Sequence, residues 1–171
     1  MNKSPIQPYN SPRRIVAPAD QAKGEAAEHA FRDWLDLDVL PHLYIDQTPM
    51  SVPAQLRGQI KRPDYLVGVP GVGTIAFDVK AKTIYADTLI FDLNEVRKLR
   101  TFARVFHLTV YFACLDPAGG PESYWVRLDQ LDDLPAQRRG GSLTVSMPLQ
   151  EALPVSMQRS FHAAFIDAVA L

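Results

Sequence analysis

The chain has 171 residues, of which 47% are hydrophobic and 22% charged, and this balance fits one globular domain with a sizeable core. No apolar run is long enough to cross a membrane, the N-terminus lacks the apolar stretch of a signal peptide, and the single cysteine, Cys114, excludes an internal disulfide and a cysteine-based zinc cluster. We therefore expect a cytoplasmic protein with no membrane partner, whose one thiol is buried. The net charge of −1 does not indicate a nucleic-acid-binding protein, but residues 57–104 carry nine basic and five acidic residues.

The first elements in chain order are a proline-rich arm and a helix. Residues 1–19 contain four prolines and little that could pack, so we interpret them as a flexible arm. Asp20 is the predicted N-cap of a helix that ends near Leu37. The helix has an apolar stripe at helical spacing, formed by Ala27, Phe31, Trp34 and Leu35. A strand is predicted at 43–48.

A hairpin and a second helix follow. Residues 64–69 and 74–81 read as two strands joined by the turn 70–73. Asp92 and Glu95 form a capping pattern before the helix. Its predicted stripe is Val96, Leu99, Ala103 and Phe106. The remaining predicted elements are a buried strand at 108–115, a strand at 123–128 and an amphipathic helix at 156–169 with Phe161, Phe165 and Val169 four apart.

This order predicts an α/β domain over residues 20–171, with a core at 20–115 and additional strands and a helix at 116–171. A meander of three strands followed by a helix that crosses to a fourth strand gives a mixed central sheet flanked by helices.

Three residues of the hairpin carry candidate chemistry. Asp78 and Lys80 are two apart on one strand and therefore point to the same face. Asp64 opens the other strand, and the two carboxylates can meet only if the strands are staggered or diverge. If they meet, a bound cation such as Mg²⁺ relieves their repulsion, and the Val79 carbonyl could supply a third ligand. Lys80 would then orient a water or neutralise charge on a phosphoryl group.

The sequence Pro63-Asp64, followed after thirteen residues by Asp78-Val79-Lys80, resembles the PD-(D/E)XK nuclease superfamily. Lys23-Gly24 followed by Glu28 is similar to the start of the first helix in archaeal Holliday junction resolvases. The resemblance covers about residues 20–115.

The resemblance implies a restriction endonuclease-like αβββαβ core and an Mg²⁺- or Mn²⁺-dependent nuclease acting on nucleic acid, with DNA as the expected substrate. It also implies that Glu28 is a further acid that assists the metal, with Glu25 as its rival. Further contacts to nucleic acid are expected from Lys82, Lys98, Arg97 and Arg62.

Other interpretations remain open at this stage. Asp64 could accept hydrogen bonds from local turn amides, and Asp78 and Lys80 could be an ordinary ion pair. The chain could be a catalytically inactive nuclease-fold module that binds nucleic acid or protein. The last helix could form a homodimer or partner surface instead of packing on its own sheet.

Overall fold

The computed structural model describes residues 17–48 and 52–169. The predicted arm at 1–19 therefore lies outside the described residues except for its last three. The helices are α1 (Pro18–Leu37), α2 (Leu93–Phe106) and α3 (Phe161–Val169). The strands are β1 (His42–Tyr44), β2 (Tyr65–Val69), β3 (Gly73–Ala81), β4 (Thr88–Asp92), β5 (Thr109–Leu115), β6 (Glu122–Arg127), β7 (Gln137–Arg139), β8 (Ser142–Pro148) and β9 (Leu153–Ser156).

The first helix begins earlier than the sequence suggested. Its N-cap is Ala17, and Asp20 lies in the first turn, so the prediction of Asp20 as the cap was wrong. Pro18 occupies the first helical position, where its fixed φ is favourable and its missing N–H costs nothing. Asp20 still favours the helix, because a negative charge in the first turn complements the helix dipole. The predicted stripe is confirmed, since Ala27, Phe31, Trp34 and Leu35 are the buried residues of α1.

The main sheet has six strands in the order β1-β2-β3-β5-β6-β9. Strands β1, β2 and β3 form an antiparallel meander, and β5 pairs with β3 in parallel after the chain has passed through α2. The predicted helix and strand order of the αβββαβ core and its mixed sheet flanked by helices are therefore confirmed. The additional strand β4 lies between β3 and α2 and joins another sheet.

Two hydrophobic cores cover the two faces of the main sheet. On one face, α1 and α3 pack around Phe77, whose ring lies within 6 Å of the rings of Phe31, Trp125 and Phe161. On the other face, α2 and the second sheet enclose Phe112 and the predicted buried thiol of Cys114. Burial raises the pKa of Cys114 to about 12, so this thiol is protonated and unreactive at neutral pH.

A second, three-stranded sheet in the order β4-β8-β7 was not predicted. It lies against α2, and this contact changes which residues of α2 are buried. The buried residues are Leu93, Val96, Leu99 and Phe102. Phe106, assigned to the stripe from the sequence, is 56% exposed, because the last turn of α2 extends beyond the second sheet and the main core.

The last helix is shorter than predicted. Ser156 ends β9, and α3 begins only at Phe161. Phe161 and Phe165 are buried against the chain's own sheet, as expected if the helix packs within the chain and needs no partner. Ile166 and Val169 are 42% and 47% exposed. A homodimer through this helix stays a prediction. None of the described helices is long and apolar enough to span a membrane.

Candidate active site

The hairpin register brings the two aspartates of the motif together. Tyr65 of β2 lies opposite Phe77 of β3, and Asp64 and Asp78 are the next residues of the two strands at this end of the hairpin. The Asp64 N–H donates to the Phe77 carbonyl at 2.9 Å, one residue out of that register. The pairing is therefore offset by one residue at this end of the hairpin, and such a stagger was one of the two arrangements that could bring the carboxylates together.

Val79 links the two strands through the Asp64 side chain. Its backbone N–H donates to Asp64 Oδ2 at 2.7 Å, where a continued ladder would use a backbone carbonyl. In a strand the N–H and C=O of one residue point to the same edge, so the Val79 carbonyl also faces the Asp64 side. In the alternative interpretation, the Asp64 carboxylate accepts hydrogen bonds from backbone amides of its own turn, whereas here its donor is on the neighbouring strand.

Asp78 belongs to a network of two carboxylates and two ammonium groups. Its side chain is completely buried and contacts Lys61 Nζ through Oδ1 and Lys80 Nζ, at 2.8 Å, through Oδ2. Both ammonium groups also contact Glu95 Oε1, at 2.7 Å from Lys61 and 2.8 Å from Lys80. Lys61 comes from the loop before β2 and Glu95 from the first turn of α2, so three separate segments meet at the ends of β2 and β3.

The charges of this network change the protonation of its members. Burial and the negative charge of Asp78 raise the pKa of Asp64 to about 7, although Lys61 and Lys80 act in the opposite direction. Asp64 is thus only partly ionised near neutral pH in the metal-free protein.

Lys80 and Glu95 remain charged. Burial disfavours the ammonium form of Lys80, but the carboxylates of Asp78 and Glu95 outweigh it and raise the pKa well above its ordinary value. Burial likewise opposes ionisation of Glu95, and the two lysines overcome it and hold its pKa well below the usual range. Lys80 can therefore act as a positive charge and hydrogen-bond donor, but not as a general base near neutral pH.

Lys61 and Glu95 were not among the residues predicted for the site. Glu95 was assigned to a capping pattern, and the Asp92 side chain does accept from the backbone N–H groups of Asn94 and Glu95 at 2.9 and 3.1 Å. The Glu95 side chain points instead to the lysines. The only sequence signal for Lys61 was its position three residues before Asp64, in the basic part of the chain.

The two candidate acids of α1 have different surroundings. Glu28 is half-buried, accepts a hydrogen bond from Tyr44 Oη at 3.1 Å and adds to the electrostatic rise of the Asp64 pKa. Its backbone carbonyl accepts from Tyr65 Oη at 3.0 Å. Glu25 is exposed and accepts from Gln21. Of the two, Glu28 is the acid that interacts with the aspartate site.

The basic residues proposed to contact nucleic acid are only partly free to do so. Lys82 Nζ donates to the Ile90 carbonyl at 2.5 Å and lies 5.1 Å from the centre of the Phe91 ring, so its ammonium is directed at β4. Arg62 donates to the Thr48 carbonyl at 3.1 Å. Arg97 is exposed and Lys98 half-buried on the first half of α2, close to the loop that carries Lys61.

A divalent metal ion fits the donor set in part. Among residues 17–48 and 52–169, no three His, Cys, Asp or Glu side chains converge as a metal-binding group, because lysine ammonium groups lie between Asp78 and Glu95. However, Asp78 Oδ2 is buried without a hydrogen-bond donor in good geometry within the described part of the chain. This oxygen, the opposed Asp64 carboxylate and the nearby Val79 carbonyl are the hard oxygen ligands that Mg²⁺ and Mn²⁺ accept.

A large cavity in the described part of the chain lies away from the candidate site. A cavity of about 860 Å³ lies near the C-terminal end of α2, lined by residues such as Arg104, Leu108 and Phe165. It contains none of the predicted site residues. The candidate site is therefore identified by its charged side chains and not by the size of a cavity.

Comparison with solved structures shows a likeness in fold. The fold is similar to that of Hjc, a Holliday junction resolvase from the archaeal hyperthermophile Archaeoglobus fulgidus, with a TM-score of 0.48 and 19% sequence identity. The likeness covers 74% of this chain and 90% of the resolvase chain. No protein-family model matches the sequence, and no curated protein matches it.

Proposed function

We propose that this chain is a metal-dependent nuclease that hydrolyses phosphodiester bonds in nucleic acid, with DNA as the substrate. The observation that carries the proposal is the proximity of the Asp64 and Asp78 carboxylates at this end of the hairpin, with Lys80 beside Asp78. Two opposed carboxylates with a permanently charged lysine are the groups that phosphodiester hydrolysis requires.

The cofactor in this proposal is Mg²⁺ or Mn²⁺. Asp64, Asp78 and the Val79 carbonyl would hold the ion, and Glu28 would assist through its proximity to Asp64. When bound, the ion would lower the pKa of a coordinated water and stabilise charge on a phosphoryl oxygen. The raised pKa of Asp64, about 7, supports this assignment, because a neighbouring cation would favour the ionised form that burial and Asp78 disfavour.

The protein's own groups have distinct roles. Lys80 would donate to a non-bridging phosphate oxygen and stabilise the negative charge that grows there in the transition state. Lys61 and Glu95 are positioning residues. Lys61 holds the Asp78 carboxylate, and Glu95 holds the ammonium of Lys80 at 2.8 Å. Asp64 accepts from the Val79 N–H, and this contact fixes the direction of its carboxylate.

Cleavage assays test the proposal. The purified protein is incubated with labelled single-stranded, double-stranded and branched DNA and with RNA, in Mg²⁺, Mn²⁺ or EDTA. We expect cleavage that requires metal and is lost in Asp78→Ala and in Lys80→Ala. Asp133→Asn, which changes an exposed carboxylate outside the site, is the matched control and should cleave like the wild type. Cleavage that persists in EDTA, or in both site variants, would overturn the assignment.

One observation favours a second candidate, a nuclease-fold protein that binds nucleic acid without cutting it. Lys61 and Lys80 already neutralise Asp78 and Glu95, so the metal-free network is balanced in charge without a divalent ion. In that case the protein would bind one of the substrates in EDTA and would cleave none of them in Mg²⁺ or Mn²⁺.

A further inference from the structure

The hairpin β7–β8 carries two arginines that have no partner within the described part of the chain. Arg138 and Arg139 are exposed and adjacent, and neither takes part in a hydrogen bond or ion pair with a described side chain. Most other arginines of the described chain are engaged. Arg100, Arg127 and Arg159, for example, pair with aspartates. A positive charge at a hairpin tip without a carboxylate partner is free to meet an external anion.

The tip is built as a tight, defined turn. Arg139 pairs with Ser142, so only Gly140 and Gly141 form the loop. Their φ values are 54° and 86°, the left-handed conformation that two-residue hairpin turns require and that glycine adopts without strain. The arginines are thus carried on paired strands with a short connection. They are not on a long loop.

Strand register places this tip at the same end of the molecule as the aspartate site. Asp92, the last residue of β4, lies opposite Thr144 of β8, and Thr144 lies opposite Gln137 of β7. Strand β7 runs in the same direction as β4, so Arg138 and Arg139 extend one and two residues beyond Asp92. With ordinary strand geometry, Arg139 is about 7 Å further along the strand direction and about 10 Å to the side.

Asp92 is also the N-cap of α2, and Glu95 in the first turn of that helix contacts Lys61 and Lys80. The hairpin tip and the aspartate site therefore lie beside the same helix N-terminus. A nucleic acid whose scissile phosphate reaches the site would bring neighbouring phosphates, spaced several ångströms apart along the strand, towards the tip.

We propose that the β7–β8 hairpin is a phosphate-binding wing, in which Arg138 and Arg139 bind the phosphodiester backbone of the nucleic acid that occupies the aspartate site. The inference rests on the proposed function and names a contact surface that lies outside the predicted core at 20–115. Arginine suits this role because its planar guanidinium donates two parallel hydrogen bonds to a phosphate. The wing would contribute to affinity through the backbone and not through base recognition.

Binding measured without cleavage tests the wing separately from catalysis. Fluorescence anisotropy of a labelled 30-base-pair DNA duplex, and of an RNA duplex of the same sequence, is recorded in EDTA over a series of salt concentrations. Compared with the wild type, the variant with Arg138→Ala and Arg139→Ala should bind severalfold more weakly. Because neighbouring residues of a strand point to opposite faces, one or both arginines reach a phosphate. The slope of log K against log salt should therefore be smaller by about 0.9 for each phosphate contact that is lost, or by about 0.9 to 1.8 in total. The variant with Arg138→Lys and Arg139→Lys should keep most of the slope.

The matched control is Arg104→Ala, which removes an exposed arginine without a described partner at the opposite end of α2. It should leave affinity and slope unchanged. If the double alanine variant binds with the wild-type affinity and slope, the wing is refuted, and the arginines only protect a sheet edge from pairing. An equal reduction of this slope in Arg104→Ala would also refute the wing, because binding would then depend on the net charge of the protein and not on the position of the arginines.

The two proposals fail in different ways. If the wild type binds and cleaves but the double alanine variant is unchanged, the wing fails and the proposed nuclease function stands. If the wild type binds through the wing but cleaves nothing with metal present, the nuclease function fails and the wing stands. If the wild type binds neither duplex, the wing is overturned, and the cleavage assays with single-stranded and branched DNA decide the nuclease function.

Discussion

Replacing Asp64 by asparagine should stabilise the metal-free protein, and the gain should depend on pH. The pKa of Asp64 is raised from 3.8 to about 7, first by burial and then by the charge of Asp78. Because the folded state holds this proton more tightly than the unfolded state, stability is lost as pH rises from about 4 to 7. The introduced amide would carry no charge, and its oxygen would still accept the hydrogen bond from the Val79 N–H.

The size of the effect follows from the shift. A rise of about 3 pKa units corresponds to a cost of roughly 4 kcal/mol above pH 7, as an upper bound. At pH 5 less than half of this cost is present, because that pH is only about one unit above the pKa of the carboxyl in the unfolded chain. The gain from Asp64→Asn should therefore be about 2–3 kcal/mol larger at pH 8 than at pH 5.

Urea unfolding in EDTA at pH 5 and pH 8 measures this difference, with the free energy of unfolding extrapolated to water. Asp133→Asn serves as the control, since Asp133 is exposed, and its effect should be the same at both pH values. A gain for Asp64→Asn that is equal at the two pH values, or larger at pH 5, would refute the assignment of a protonated, buried Asp64.

Four further substitutions have expected effects on stability, each measurable by urea unfolding in EDTA. Lys61→Met should lower the free energy of unfolding by about 2 kcal/mol, because it leaves the fully buried Asp78 carboxylate with one ammonium partner. An unchanged free energy of unfolding would mean that the contact between Lys61 and Asp78 is not formed in solution. Phe77→Ala should cost about 3–5 kcal/mol, since its ring joins both helices of one core to the sheet, and a cost below about 1 kcal/mol would contradict that packing. Two glycines should respond with opposite signs. Gly24→Ala in α1 meets no atom within 4 Å and should stabilise by about 0.5–1 kcal/mol. Gly68→Ala should cost about 1–2 kcal/mol, because its Cβ would lie 3.1 Å from Pro41 Cγ. If both substitutions changed the free energy of unfolding in the same direction, the surroundings described for Gly24 and Gly68 would be contradicted.

The central part of the fold was predictable because its signals are local and strong. The alternation on either side of the turn 70–73 predicts a hairpin, and the apolar run at 108–115 predicts a buried strand. The second sheet has no comparable signal. Strand β7 is the exposed sequence Gln-Arg-Arg, which has no apolar alternation and pairs only because the turn of two glycines returns the chain.

The contact of Asp78 with Lys80 was predictable, but the geometry of the candidate site was not. Residue spacing placed Asp78 and Lys80 on one face, yet the approach of Asp64 depends on the pairing of Tyr65 with Phe77, which the turn geometry decides. Lys61 and Glu95 could not be assigned, because their contact joins a loop to a helix 34 residues later. The capping pattern correctly identifies Asp92 as the N-cap of α2, but it does not predict that the Glu95 side chain contacts the two lysines and not the cap.

The most direct measurement is the metal dependence of DNA cleavage by the wild type and by Asp78→Asn, compared in Mg²⁺ and in EDTA. Thermal melting of both proteins in EDTA shows that each is folded. We predict cleavage by the wild type in Mg²⁺, none in EDTA, and none by Asp78→Asn under either condition. Equal cleavage by a folded Asp78→Asn variant would contradict the assignment of this aspartate site as the nuclease centre.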